Sequence, residues 1–444
     1  MQVWYNMRCE VAEMKYDYMQ FKEWLNTVPV IESHEHYDGQ TAPYDNIFEL
    51  VINNYLLTDM MVANGGADPL EVIAQCDTFE QKCEVFLSMY TNAQFTCYGQ
   101  AARSAFLMCW DADILTTEGL TKIRDEQAKR TQEFGDKLIE KAGIKAAVCD
   151  LFDVGMLLYD KTKVYADWCR FAISTPDWHR IMSFKDVADV NGKDFRSGEI
   201  ACLDDYIGAM GACVDKCMED GRFVAMKDQS AYSRDIGYKN PTKEDAELVF
   251  YKMVDDHEKI LSSHDARVLS DYLFHAIVTL SEKHEIPMQI HTGHMAGGYN
   301  DVSKANAAKL TDLISLHPNA VFDLFHGNYP YMGDFLFLGK NYPHVVLDLC
   351  WVHSIDTDYS IELMRRMVLT CPTNKVLAFG GDTFGVEAQV SYLEQARENI
   401  AKAMCSLIDD GVLEEMQAKR IAADWLYNNP NRIYKLGLPR YDVS

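Results

Sequence analysis

Short runs of β-branched and aliphatic residues alternate with longer amphipathic segments through most of this chain. That alternation leaves few architectures open. The runs fall at Val28 to Ile31, Lys145 to Val148, Arg180 to Phe184, Phe223 to Met226, Pro287 to Ile290, Val321 to Phe325, Val345 to Leu349 and Val376 to Phe379. Several are apolar at nearly every position, the pattern of parallel strands covered on both faces. Between the runs, Lys243 to Leu261, Asp265 to His284 and Ala307 to His317 carry apolar residues at helical spacing, the last stopping at His317-Pro318. Eight such units predict a (β/α)8 TIM barrel rather than an open sheet.

One connection departs from the pattern. Residues 39–143 are too long for an ordinary link between a first and a second strand. Glu71 to Tyr90 and Thr121 to Lys141 read as helices, and Asn64-Gly65-Gly66-Ala67-Asp68-Pro69 breaks the segment. The expected organisation is therefore a barrel formed by residues 1–38 and 144–444. Residues 39–143 form a helical insertion over its mouth, because the connection leaves the C-terminal end of strand one.

Composition removes several classes of function. With 48% hydrophobic residues and no uninterrupted apolar run near membrane length, the chain reads as a soluble globular protein. A formal charge of -25 opposes phosphate-bearing partners, so neither nucleic acid nor an anionic membrane is expected. A small molecule is the expected partner, and a homo-oligomer stays open. Met1 to Tyr18 mixes charges among apolar residues and lacks the pattern of a secretory signal. The 13 cysteines are odd in number and scattered, which suits reduced thiols and a cytoplasmic setting.

Chemistry-bearing residues follow the predicted strands. Strand one runs into Glu32-Ser33-His34-Glu35-His36, where side chains at i and i+2 share one face and can aim at one point. Alone the pair means little, since 13 histidines give roughly 0.4 such pairs by chance. Strand four ends in Lys227-Asp228, strand five in His291, strand six in His326-Gly327 and strand eight in Gly381-Asp382. In a barrel all these ends lie on the face that carries active sites. Individually His291 could be a hydrogen-bonded strand end and Asp382 a helix cap. Together they form a convergent metal-ligand set. Ser263-His264-Asp265 reads as a helix start, Cys213 and Cys217 as buried thiols, and Trp178-His179-Arg180 as packing at the opposite barrel face.

His-x-His after strand one, His after strands five and six, and Asp after strand eight resemble the amidohydrolase superfamily. Lys227 to Tyr232, His291-Thr292-Gly293, His326 to Tyr331, Val346 to Leu349 and the closing Asn428 to Tyr434 are similar to its amidohydrolase-2 branch. The nearest likeness is to domains fused to glutamine-synthetase-like modules, with uronate isomerases in the wider group. The resemblance implies metal ligands at His34, His36, His291 and Asp382, and a metal-binding or substrate-binding role for His326. Lys227 stands where relatives with two metals carry a carboxylated lysine, so a second metal is implied if it is carboxylated. With an unmodified lysine the expectation is one divalent ion, zinc first, with manganese, iron or cobalt as alternatives.

The implied activity is metal-dependent hydrolysis of a small amide, ester or lactone, carboxylate-bearing, through activated water. Asp382, His326 and Lys227 are the expected catalytic residues. Tyr232, Arg234, His294, Trp351 and His353 are the expected substrate contacts. Ser233 intervenes between Tyr232 and Arg234 where relatives place Arg directly after Tyr, and His294 reads equally as an exposed loop residue. Three alternatives accompany this reading: sugar-acid isomerisation as in uronate isomerases, decarboxylation, and a metal-bearing regulatory domain without turnover.

Overall fold

Eight parallel strands pair in chain order: β1 Val30–Glu35, β2 Ile144–Cys149, β3 Cys169–Ser174, β4 Phe223–Asp228, β5 Met288–Ile290, β6 Phe322–Leu324, β7 Val345–Asp348 and β8 Val376–Leu377. The computed structural model describes residues 16–52 and 54–443. Most of the Met1 to Tyr18 stretch lies outside the described residues. Backbone bonds from Ser33 N to Phe379 O (2.9 Å), Asp382 N to His34 O (3.2 Å) and His36 N to Thr383 O (3.0 Å) join the two ends of the sheet. With helices between the strands, this is a (β/α)8 barrel.

The third strand is displaced from its sequence-based position. Cys169–Ser174 forms β3, whereas the expected run at Arg180 to Phe184 is a bend between two helices. Pro176 starts the first of these helices, and Ser183 with Asp186 caps the second. The correction moves Trp178, His179 and Arg180 from the far face of the barrel to the C-terminal end of β3, on the side of His34 and Asp382.

The connection from β1 to β2 holds helices at Ile47–Val51, Asn54–Ala63, Pro69–Ala74, Phe79–Tyr90, Cys97–Trp110, Thr117–Glu126 and Gln132–Ala142. Two expected helices are each divided. Thr78 and Gln81 form a capping box that restarts the chain at Phe79, and Thr131 caps the helix beginning at Gln132. Phe48, Phe86, Tyr90, Phe106, Ile114 and Leu120 give this segment an apolar cluster of its own. It is tied to the helix Val386–Asp409 by a buried two-bond ion pair, Arg130 to Glu387 (2.9 and 3.0 Å).

The barrel floor is polar. Tyr434, from the closing Asn428 to Tyr434 segment, donates to Asp323 Oδ2 (2.5 Å) and accepts from Gln289 Nε2 (3.0 Å). Asn429 Nδ2 donates to the carbonyls of Thr373 and Val376, both at 2.9 Å. This motif thus plugs the end of the barrel away from the ligand-type residues. Ser33 donates to Asp348 Oδ1 (3.0 Å) one layer higher. Burial raises Asp323 to about 7 and Asp348 well above the carboxylate range.

Removing one partner of a buried pair leaves the other charge without compensation. Arg130→Met should cost about 3–5 kcal/mol of stability, read as a lowered denaturant midpoint. A loss below about 1 kcal/mol, the range of an exposed pair, would contradict this.

Candidate metal centre and active site

Three imidazoles at the barrel mouth are each held by a backbone carbonyl behind the ring. His36 Nδ1 lies 2.7 Å from Asp150 O, His326 Nδ1 3.0 Å from Cys350 O, and His291 Nε2 2.7 Å from His294 O. A carbonyl only accepts, so each of these nitrogens carries the hydrogen. The opposite nitrogens, His36 Nε2, His326 Nε2 and His291 Nδ1, then present lone pairs to the interior. His326 Nε2 and His291 Nδ1 are 3.1 Å apart, and His36 Nε2 is 3.0 Å from Asp382 Oδ1. Facing lone pairs repel unless a cation lies between them. This donor set suits a divalent ion.

Asp382 sits at the centre of the arrangement. Its carboxylate is 3.7 Å from both His34 Nε2 and His326 Nε2. Burial alone would raise its carboxyl, but the close contacts with His36, His34 and His326 hold it well below the carboxylate range. Desolvation, assisted by the Lys227 charge, lowers His34, His291 and His326, the last to about 3, and so keeps these rings neutral as ligands. Lys227 Nζ is 3.2 Å from His34 Nε2 and lies over the Phe325 ring. Lys227 is buried, 2% exposed, and its Nζ faces the same point.

The framework around Asp382 is strained and braced. Asp382 (φ 55°) and His326 (φ 61°) occupy the left-handed region, which costs about 1–3 kcal/mol each and persists where surroundings over-determine it. Glu35 Oε1 accepts from His36 N (3.0 Å) and from Thr383 N, tying β1 to the loop that carries Asp382. Tyr55, from the β1–β2 insertion, donates to Asp382 O (2.5 Å). His36 is clamped between the stacked rings of Phe152 and Phe384, with centroids 4.5 and 4.8 Å away.

Above these groups opens a cavity of about 430 Å³, lined by His36, Lys227, His291, Asp382, Tyr55, Tyr232, Gln229, Phe152, Phe384, Asp177 and Arg180 among others. Tyr232 stands beside His291 (centroids 4.8 Å). The remaining expected substrate contacts are placed otherwise. Arg234 is bound to Asp271 and Ser270 and lies over the Tyr238 ring, away from the cavity. His353 is buried, with Nε2 against Ala378 O (2.8 Å). Trp351 packs behind His326 and His294, with centroids 5.1 and 4.9 Å away. His294 is mostly enclosed and lowered to about 4 by burial. A second cation, besides Lys227, lines the cavity: Arg180, paired with Asp177 (2.7 Å). Sequence reasoning missed it because β3 was misplaced; Pro176, a helix-start residue, was the available signal.

Comparison with known proteins agrees with this architecture. The fold matches a uronate isomerase from Thermotoga maritima over 94% of this chain and 97% of that one, at a TM-score of 0.77 and 11% identity. It also matches a glucuronate isomerase from Caulobacter crescentus over 95% and 94%, at 0.75 and 14%. A provisionally assigned metal-dependent hydrolase from Lactobacillus casei matches over 94% and 98%, at 0.60 and 12%. In sequence, 176 residues are 31% identical to protein fluG of Emericella nidulans, covering 38% of this chain and 20% of that protein. The chain thus spans about a fifth of the length of this curated relative. No protein-family model matches the chain. Fold and neighbours define a (β/α)8 barrel, with candidate ligands for a divalent metal at its mouth.

Asp271 is 3% exposed and accepts from Arg234. Arg234→Met should therefore lower stability by about 1–3 kcal/mol while leaving calorimetric binding of small carboxylates unchanged. Weakened carboxylate binding at unchanged stability would return Arg234 to the cavity.

Proposed function

We propose that this protein is a metal-dependent hydrolase acting on a small, carboxylate-bearing amide, ester or lactone. The observation that carries the reading is the ring of inward lone pairs from His36, His291 and His326 around the ionised Asp382, with His34 and Lys227 beside it. His34, His36, His291 and Asp382 would hold one divalent ion, zinc being the expected one. When bound, such an ion supplies Lewis acidity and brings a water's pKa to about 7.

The protein's own groups account for the rest of the chemistry. Asp382 is ionised, buried and positioned to take a proton from the attacking water and pass it to the leaving group. Lys227 places a fixed positive charge, in a dry site, where the attacked carbonyl oxygen gains negative charge. His326 faces the same point. Arg180 and Lys227 lie on the wall of one cavity, so a substrate carboxylate pairing with Arg180 would leave its reacting carbonyl near Asp382. Phe152 and Phe384 stack on the His36 ring and hold it in place.

A second reading, isomerisation of a sugar acid, is favoured by the match to uronate isomerases over nearly the whole chain, insertion included. Incubation with D-glucuronate and D-galacturonate, beside a panel of N-acyl amino acids and sugar-acid lactones, separates the two. Hydrolysed products support the hydrolase; keto sugars without hydrolysis replace it with the isomerase.

On the hydrolase reading, Asp382→Asn should keep most of the metal and reduce turnover by about 10²–10⁴-fold, whereas full activity would exclude Asp382 as the proton carrier. Arg180→Met should raise KM for carboxylate-bearing substrates about tenfold, the worth of one hydrogen bond to a charged group. An unchanged KM would remove Arg180 from substrate binding.

A further inference from the structure

Asp150, directly after β2, belongs to no strand-end motif and has no role in the chemistry above. It is fully buried. Its backbone is accounted for: Asp150 N donates to Glu35 O (2.9 Å), and its carbonyl accepts from His36 Nδ1 (2.7 Å). Its carboxylate is only half accounted for. Oδ1 accepts from Phe152 N (3.0 Å), which shapes the turn that lays the Phe152 ring on His36. Oδ2 is buried without a hydrogen-bond partner. A buried carboxylate oxygen with nothing to bind is costly, and calls for an ion or a water.

The position of Asp150 indicates which. One ligand-type atom from each of His34, His36 and Asp150 lies within 4.8 Å of the other two, a spacing that one metal ion can bridge. We propose that Asp150 is a further ligand, giving the cation that His34 and His36 hold a second carboxylate through Oδ2. The proposal rests on the metal reading above and adds a ligand from β2. The turn at Phe152 needs only Oδ1, so the other oxygen is available to the ion. Two anionic ligands would neutralise a divalent ion in a site that also buries the Lys227 ammonium.

The test uses the full-length protein freed of metal and reloaded with Zn2+ or Co2+. Asp150→Asn keeps an oxygen for Phe152 N, so metal-free melting should be unchanged. Its Zn2+ affinity, measured by chelator competition, should fall at least about tenfold, and the visible absorption bands of the Co2+ form should change in position and intensity. Equal affinity, or an unaltered Co2+ spectrum, overturns the proposal. If the variant fails to fold, a crystal structure of the Zn2+-loaded wild-type protein decides the matter. An Asp150 oxygen at about 2.0–2.2 Å from the ion supports it, and a water lying between them overturns it. A wild-type protein that binds no metal would instead defeat the metal reading itself; a metal-binding wild type with an indifferent Asp150→Asn defeats only this inference.

Discussion

The arrangement at the barrel mouth turns on one electrostatic constraint. Three backbone carbonyls fix the tautomers of His36, His291 and His326 from behind, so the remaining lone pairs meet in a dry space beside the Asp382 carboxylate. His291 and His326 are buried, and burial together with the Lys227 charge keeps their rings neutral. Such a cluster is costly without a positive charge at its centre. Much of the surrounding architecture serves to hold it together. Glu35 and Tyr55 brace the strained backbone of Asp382, and two phenyl rings clamp His36.

Stability and chemistry occupy opposite ends of the barrel. At the floor, Tyr434 bonds to Gln289, Asp323 and the Ser33 carbonyl, Asn429 donates to the carbonyls of Thr373 and Val376, and the closing Asn428 to Tyr434 segment acts as a plug. At the mouth, the insertion between β1 and β2 contributes Tyr55 and is anchored by Arg130 to the helix after β8. On the proposed reading, substrate choice falls to residues lining the cavity, namely Arg180, Asp177, Tyr232, Gln229 and the two phenylalanines. These lie in the loops and short helices that follow the strands, which vary without disturbing strand registration. One barrel can therefore host hydrolysis or isomerisation on closely related ligand sets.

The strands with continuous apolar runs were legible in the sequence, because parallel strands covered on both faces leave that signature. β3 was not. Its short Cys169-Arg170-Phe171 start is interrupted by a charge, while Ile181, Met182 and Phe184 imitate a strand in a segment that Pro176 and Ser183 commit to helices. That error hid Arg180. Residue type after a strand was readable, but side-chain direction was not. Arg234 and His353 follow the right strands, yet Asp271 and the Ala378 carbonyl turn them away from the cavity. Asp150 carried no motif, and only its unpartnered oxygen singles it out.

The central claim is that the inward-facing imidazoles and Asp382 hold a divalent cation. Elemental analysis of protein purified without added metal tests it most directly. The account predicts one equivalent of a divalent transition metal per chain, falling below a tenth of an equivalent in a folded His34→Ala/His36→Ala variant. Contradiction would come from a metal-free wild-type protein that also fails to take up Zn2+, Mn2+, Fe2+ or Co2+ at micromolar concentration, or from metal retained in full by the double variant.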